Sequence, residues 1–409
     1  MFSFFEPAPP TVLEAAIGGG SAGTKVFFIT NRNELKNGDT LAGFGTDPHQ
    51  RGSHWLRVGN ATVDITENEA TACQYADDED INIIDLVVHP EVIQDSPEHH
   101  HLGSNRLFAD LQRSLRDEQK DLILYVHGYD TTFKEALWSA AQIRLRYNRV
   151  LENLLDDEAS APFLARCPRG FETLAISWPS DGQRLDHWGD QHAALQSSRA
   201  LGRALLKARD FVERSFRTAL ADVFDRSMSR AEILRAVSLR KIACPGQIHI
   251  IVEGNGGLVF RMGFQDFLTD PSITGDLPKL FGQIFMAGAD EDPDAFQDEL
   301  KLRRLPEVAS RVTCYYNPND LFTGISRFSK HPPKRIGNSG PARLVDLAHL
   351  DIVDCARVID PATDGFGQFY ARTNDIVARD MVLSMCGASG ENRPNRQRTH
   401  PAAPIHLIR

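Results

Sequence analysis

The residues of greatest chemical interest form a turn between an apolar strand and a helical segment. The strand is predicted over 247–252, the turn reads Glu253-Gly254-Asn255-Gly256-Gly257, and the helix-compatible stretch runs over 258–267. This layout is typical of a nucleophile elbow, in which the central side chain stands on a tight strand-to-helix turn and attacks a carbonyl carbon. The central position here is Gly254, which has no side chain. The sequence therefore predicts the setting of a nucleophilic site without its reactive oxygen.

A second turn follows a predicted buried strand and reads His127-Gly128-Tyr129-Asp130-Thr131-Thr132. Turns of this type carry a backbone N–H that helps to form an oxyanion hole. A plain strand-to-helix turn, with Gly128 for backbone freedom and Thr131 or Thr132 as the helix N-cap, explains the same residues. Trp178 follows the next predicted strand. We expect it at the same edge of the sheet, where open α/β folds place their sites.

The elements that must position these turns alternate regularly from about residue 105. Short apolar runs bounded by turn residues alternate with helical periodicity, which is the pattern of buried parallel strands joined by crossover helices. The sequence thus predicts an α/β fold with a mostly parallel central sheet and helices on both faces. Helices are predicted over 105–117, 132–147, 187–216, 257–268, 293–301 and 374–386, and strands over 122–126, 172–177, 247–252, 283–287, 311–316 and 349–354.

The flanking segments differ in composition and predict smaller units. Residues 1–23 end in a glycine-rich stretch and are expected to form a flexible arm. The main domain is expected over 24–386, beginning with a preface over 24–104 that contains a β-hairpin, which the alternation in 55–65 suggests. A helical insertion is expected over 205–243. The polar tail over 387–409 is expected to be disordered.

Composition excludes several functional classes. The 409 residues are 42% hydrophobic, and the formal net charge of -10 offers no basic footprint for nucleic acid. No run approaches the roughly 18 apolar residues of a membrane span, and the first ten residues lack the features of a signal peptide. We therefore expect a cytoplasmic protein with neither a membrane nor a nucleic-acid partner. The six cysteines contain no CxxC pair and are expected to be reduced thiols.

Two groups of potential metal ligands have simpler explanations. His99, His100 and His101 are adjacent in a predicted loop without an HExxH or CxxC pattern, which is typical of a solvated surface. Asp290, Asp292 and Asp294 alternate as cation ligands do, but the loop length, glycine and distal glutamate of a calcium loop are missing. Charge complementarity at the start of the predicted helix 293–301 is the preferred explanation. We therefore predict no metal and no other cofactor.

Six short segments follow one another along the chain in this order: Phe28-Ile-Thr-Asn31-Arg32-Asn33, Gly43-Phe-Gly45, Val126-His-Gly-Tyr129, Ser177-Trp-Pro-Ser180, Ala289-Asp290-Glu-Asp292-Pro-Asp294-Ala-Phe296 and Tyr315-Tyr-Asn-Pro-Asn-Asp320. This series resembles a poorly characterised bacterial branch of the α/β-hydrolase superfamily, a domain of unknown function. The resemblance covers about residues 24–385 and implies the α/β-hydrolase fold.

The resemblance also implies a catalytic triad that this chain does not retain. The family's elbow, of the type His-Ser-Met-Gly, places its histidine at Glu253, its serine at Gly254 and its methionine at Asn255. The family's acid matches Asp320, and its histidine matches Gln368. Glycine cannot attack a carbonyl, and a glutamine amide is not a useful proton acceptor near neutral pH. The oxyanion site and pocket would be lined by His127, Gly128, Tyr129, Glu253, Asn255 and Trp178, with a structural role for His127.

Three functions are compatible with these residues. The double loss favours a pseudohydrolase whose pocket survives as a binding or interaction surface, with its ligand or protein partner unassigned. An active esterase or lipase would need a nonstandard nucleophile, or a water activated by Glu253 or Asp320. A complex with an active partner, formed through the 205–243 insertion, is a weaker third interpretation.

Two geometric expectations follow. The backbone N–H groups of Tyr129 and Asn255 should point into one cavity beside Gly254. Asp320 and Gln368 should be neighbours at the same sheet edge, with the glutamine amide donating a hydrogen bond to the carboxylate.

Overall fold

The central feature of the chain is one large sheet with helices packed on it. The structure, a computed structural model, describes residues 11–14, 23–50, 52, 55–72, 76–90, 103–180, 187–220, 246–273, 277, 279–320, 334–343, 349–360, 365–388, 393, 395–399 and 405–408. The strands are β1 (Thr11–Glu14), β2 (Thr24–Thr30), β3 (Arg32–Asn37), β4 (Thr40–Pro48), β5 (Arg57–Val63), β6 (Ile83–Pro90), β7 (Asp121–Val126), β8 (Phe171–Ser177), β9 (Ile248–Glu253), β10 (Phe281–Ala287), β11 (Ala309–Tyr316), β12 (Leu350–Asp354), β13 (Arg396–Arg398) and β14 (Ile405–Ile408).

The helices connect and cover these strands. They are α1 (Glu67–Ala72), α2 (Gly103–Arg116), α3 (Phe133–Asp156), α4 (His187–Leu220), α5 (Gly256–Thr269), α6 (Leu305–Val308), α7 (Ile336–Ser339), α8 (Gly365–Gln368), α9 (Tyr370–Thr373) and α10 (Asp375–Met385), with a 3-10 turn at Ala161–Phe163. α3 begins with a capping box, in which Thr132 and Glu135 satisfy each other's backbone N–H groups. None of the described helices is long and apolar enough to cross a membrane.

The strand order is β1-β6-β5-β2-β8-β7-β9-β10-β11-β12-β14-β13. In this spatial order, each adjacent pair between β2 and β14 is parallel. The pairs outside that stretch, at the two ends of the sheet, are antiparallel. One face of the sheet packs on α4 and α5 through side chains such as Phe211 and Phe264. The other face packs on α3 and α10 through Leu137 and Met381. The predicted α/β fold, with helices on both faces, is confirmed.

The N-terminal preface differs in detail from the sequence pattern. A separate two-stranded hairpin is present, but it is formed by β3 and β4. The alternating stretch at 55–65 contributes a single strand, β5, to the main sheet. Its alternation reflects one strand with two differently packed faces, so the periodicity located a strand and misassigned the hairpin.

Both termini contribute strands where irregular chain was expected. β1 lies within the predicted arm and pairs with β6, and β13 and β14 lie within the predicted disordered tail. In the tail, Arg393 and Arg396 are buried and pair with Asp380 of α10. The composition of this segment is typical of a solvated tail, but the buried ion pairs with Asp380 hold it against the domain.

Two helical predictions were also inaccurate. Residues 293–301 form consecutive turns and not a helix. The predicted start of an insertion at residue 205 falls inside α4, which runs without interruption from His187 to Leu220. The rest of the predicted insertion, from 221 to 243, lies outside the described residues.

Candidate functional site

The turn at Gly254 lies at the carboxyl edge of the sheet, between β9 and α5. Gly254 has a φ of +52°, a left-handed conformation in which glycine is unstrained. Its N–H donates to the Ala287 carbonyl at 3.1 Å, and its own carbonyl accepts from the Asp290 N–H at 2.8 Å. The turn is therefore fastened to the end of β10. It is sharp, as the strand-turn-helix pattern predicted.

The Gln368 amide lies directly against this turn. A β-carbon built on Gly254 would lie 2.8 Å from Gln368 Nε2 and 3.2 Å from its Cδ. Gln368 is buried, with 1% of its surface exposed, and its Oε1 atom has no hydrogen-bond partner among the described residues. The space that a side chain at position 254 would need is thus occupied by an amide.

Asp320 is carried by the turn after β11, and this turn meets the segment that carries Gln368. Asn317 Nδ2 donates to the Gly367 carbonyl at 3.0 Å, and a β-carbon on Gly367 would lie 3.4 Å from the Asp320 Cα. Asp320 is buried. The two loops converge as predicted, although the expected amide-to-carboxylate hydrogen bond is not among those that Gln368 forms with described residues.

The loop that begins at His127 lies on the other side of the Gly254 turn. A β-carbon on Gly128 would lie 3.4 Å from the Glu253 carbonyl oxygen and 3.8 Å from the Asn255 backbone nitrogen. This proximity follows from the parallel pairing of β7 with β9. Tyr129 is buried at this loop. The structure thus brings the two turns to one edge of the sheet.

Both ring nitrogens of His127 are occupied. Nδ1 lies 2.7 Å from the Gly128 carbonyl and Nε2 accepts from the Trp178 backbone N–H at 3.2 Å. The Trp178 indole stacks on the imidazole at 5.1 Å and donates to the His127 carbonyl at 2.9 Å. Burial, with a smaller contribution from the Arg32 charge, lowers the pKa of His127 to about 3. A neutral imidazole with both nitrogens engaged holds the loop and is not placed to accept a further proton.

Arg32 connects the loops that surround this edge. Its fully buried guanidinium donates to Ser177 Oγ at 2.8 Å, to the Ser180 carbonyl at 2.9 Å and to the Thr131 carbonyl at 2.6 Å. It also donates to the Gly45 carbonyl at 3.0 Å. Three of the six segments that carry the family resemblance, together with Thr131 just after a fourth, are therefore joined through one side chain. The planar fork of arginine can reach several acceptors at once, which a lysine ammonium on its flexible stem cannot reproduce.

Glu253 precedes the turn and is buried beneath it. Its Oε2 accepts from Tyr125 Oη at 2.6 Å and lies 3.5 Å from Arg372 Nε. Burial raises the pKa of the Glu253 carboxyl, and the Arg372 charge opposes that shift. Oε1 has no hydrogen-bond partner among the described residues. Glu253 is therefore an interior, paired carboxyl group.

Asn255 follows the turn and is fully buried. It precedes α5 at the N-cap position but forms no side-chain cap hydrogen bond. Neither its Oδ1 nor its Nδ2 has a hydrogen-bond partner among the described residues. Buried amides are normally satisfied by protein or water, so the Asn255 amide calls for a further hydrogen-bond partner.

The alternating aspartates near this edge are ion-paired. Asp290 and Asp292 contact the Arg335 guanidinium, and Lys301 Nζ lies 2.9 Å from Asp292 and 2.6 Å from Asp294. The expected explanation, charge complementarity at a helix start, is therefore wrong. Within the part of the chain that the structure describes, no three acidic, histidine or cysteine side chains are grouped as metal ligands. His99, His100 and His101 lie outside that part.

The fold and the edge geometry agree with one protein-family model. Residues 105–360 match the model described as "Alpha/beta hydrolase of unknown function (DUF900)". The chain belongs to this family. The matched segment of this α/β hydrolase includes Gly254 and Asp320 and ends before Gln368. No curated protein and no solved structure matches the chain.

The sequence analysis did not identify the positively charged residues at this edge of the sheet. Arg32 lies in one of the motif segments but gave no sign of its contacts, because its acceptors come from residues 45, 131, 177 and 180. Arg372 and Arg335 were not singled out either. Their partners Glu253 and Asp290 are distant in sequence, so no local spacing could have identified them.

Proposed function

We propose that this α/β hydrolase is a pseudohydrolase, a protein that retains the pocket of the fold as a binding site without Ser-His-Asp chemistry. The observation that carries the proposal is the Gln368 amide, which lies 2.8 Å from the place of a β-carbon at Gly254. Covalent catalysis needs a nucleophile and a proton acceptor at these two positions. Glycine supplies no oxygen, and an amide is not basic near neutral pH.

An active hydrolase that uses Glu253 or Asp320 as a base for water has weaker support. Glu253 Oε2 is engaged by Tyr125 and faces Arg372, and 1% of the Glu253 surface is exposed. Asp320 is 4% exposed. A general base must reach the water that it activates, and the buried setting of both carboxyl groups disfavours that access.

Ester turnover by the purified protein tests the proposal. The unmodified chain should hydrolyse p-nitrophenyl acetate and butyrate no faster than a matched preparation of the Glu253→Gln variant or the Asp320→Asn variant. Turnover that is well above the buffer rate, and that either substitution abolishes, would show a carboxylate-based hydrolase and overturn the proposal. Both variants should first be shown to unfold cooperatively, since buried groups are changed.

A further inference from the structure

The polar atoms around Gly254 form an unusual group. Gln368 Oε1, Glu253 Oε1, Asn255 Oδ1 and Asn255 Nδ2 are all buried, and none has a hydrogen-bond partner among the described residues. Two of these atoms belong to Asn255 on the turn and one belongs to Glu253 at the end of β9. The fourth belongs to Gln368, which packs against Gly254. Unsatisfied buried polar atoms are few in folded proteins, so four on three adjoining side chains call for a partner.

We propose that this group is a recognition site for uncharged ligands with a carboxamide or ureide edge. Such an edge presents a hydrogen-bond donor beside an acceptor. Asn255 offers one donor and one acceptor whichever way its amide is turned. Gln368 offers an acceptor. The proposal rests on the proposed function, because the guest would lie beside a position where a hydrolase would carry its nucleophile.

The charges at the turn favour a neutral guest over an anion. Acidic side chains at or beside the turn are Glu253, Asp290, Glu291 and Asp320, and all of them are buried. The Arg372 guanidinium faces Glu253 at 3.5 Å and lies over the Phe369 ring at 4.4 Å, so its charge is directed at groups of the protein. His127 is held neutral by its burial. A carboxylate guest would have to enter a buried site near these carboxyl groups, at a large cost in desolvation.

Neither packing nor helix capping explains why Gln368 and Asn255 are amides. Gln368 packs into the space beside Gly254, where an apolar side chain of similar length would pack without an unsatisfied oxygen. Asn255 does not cap its helix, although asparagine is among the best N-cap residues. Recognition of a polar edge accounts for both side chains.

Binding of three matched head groups to the full chain tests the proposal. The probes are benzamide, benzoate and benzylamine, with propionamide, propionate and propylamine as a second set on a smaller carrier. Affinity is measured by ligand-observed NMR and by calorimetry. In at least one set, the amide should bind with a Kd of about 1 mM or tighter. Its carboxylate and amine counterparts should bind at least about tenfold more weakly, as expected when a paired polar edge is lost.

Variants assign the binding to this turn. Gln368→Met and Asn255→Leu should each weaken amide binding by about tenfold, which is the loss of one good hydrogen bond. Gln283→Met is the matched control. Gln283 is also a buried amide with an unpartnered oxygen, but it lies near the start of β10, away from the turn. This control should leave affinity unchanged within about twofold. If Asn255→Leu fails to fold, Gln368→Met still decides.

The outcomes separate this inference from the proposed function. If no amide of either set binds, or if the carboxylate or the amine binds as tightly, the inference is wrong, while the absence of ester turnover would still support a pseudohydrolase. Equal loss of affinity in Gln283→Met would also overturn it. If amides bind selectively but the unmodified protein turns over esters, recognition of the amide edge stands and the pseudohydrolase is rejected.

Discussion

The Gln368 amide nitrogen lies 2.8 Å from the position that a β-carbon on Gly254 would take. Carbon atoms of real side chains do not approach so closely, and the two residues are 114 positions apart in the chain, as the difference between 368 and 254 shows. The absence of a side chain at one position and the amide at the other are therefore one packing arrangement. A change at either residue should be felt at the other.

Gly254→Ala tests that coupling. The substitution should cost about 1 kcal/mol for a left-handed φ and about 1–2 kcal/mol more for displacing the Gln368 amide. The measurement is the free energy of unfolding in urea. Gly38 is the matched control, because it has a φ of +62° and nothing within 4 Å of its β-carbon position. Gly38→Ala should cost only the first amount.

The double variant Gly254→Ala with Gln368→Ala completes the cycle. With the amide removed, the additional cost at Gly254 should disappear, which leaves a coupling energy of about 1 kcal/mol or more. Additive effects of the two substitutions would show that the amide does not fill the space beside Gly254.

Arg32 should contribute strongly to the stability of the loops at the same edge of the sheet. Arg32→Lys keeps the charge but loses the fork that reaches the loops at Gly45, Thr131 and Ser180. We expect a loss of about 3 kcal/mol in the free energy of unfolding, because several buried acceptors lose their donor. Arg303→Lys is the control, since that arginine is largely exposed and paired with Glu299. The control should change stability by less than about 0.5 kcal/mol. Equal small effects would contradict the role given to Arg32.

Mild acid should destabilise the protein through His127. Burial lowers its pKa to about 3 in the folded state, against the ordinary histidine pKa of 6.5 in the unfolded chain. The unfolded chain therefore binds more protons below pH 6.5, so the stabilisation is fully present above that pH. It is lost as the pH falls toward 3, at about 1.4 kcal/mol per pH unit.

The readout is the change in unfolding free energy between pH 7 and pH 5. This change should be about 2 kcal/mol larger in the unmodified protein than in His127→Gln, which does not titrate. His192→Gln, at an exposed position of α4, should behave as the unmodified protein does. The same pH response in all three proteins would remove His127 as the source.

The sequence predicted those parts of the fold whose signals are local. The apolar run before Glu253 located β9 to within one residue at each end, and the turn that begins at His127-Gly128 located the start of α3. β13 and β14 were missed because their order depends on the buried pairing of Arg393 and Arg396 with Asp380, which no window of sequence contains. The neighbourhood of Gly254 and Gln368 could be expected only from the resemblance to a family. The unsatisfied atoms of Asn255 could be found only from the three-dimensional structure.

Labelling by a fluorophosphonate probe, followed by intact mass spectrometry, tests the central claim most directly. Such probes react with an activated serine, which needs a nucleophile, a base and an acid arranged together. The unmodified protein should show no adduct. Gly254→Ser combined with Gln368→His should show one, because the Asp320 turn lies beside Gly367 and the loop at His127 lies beside the Gly254 turn. Either change alone should give little. A stoichiometric adduct on a residue of this edge in the unmodified protein would contradict the account.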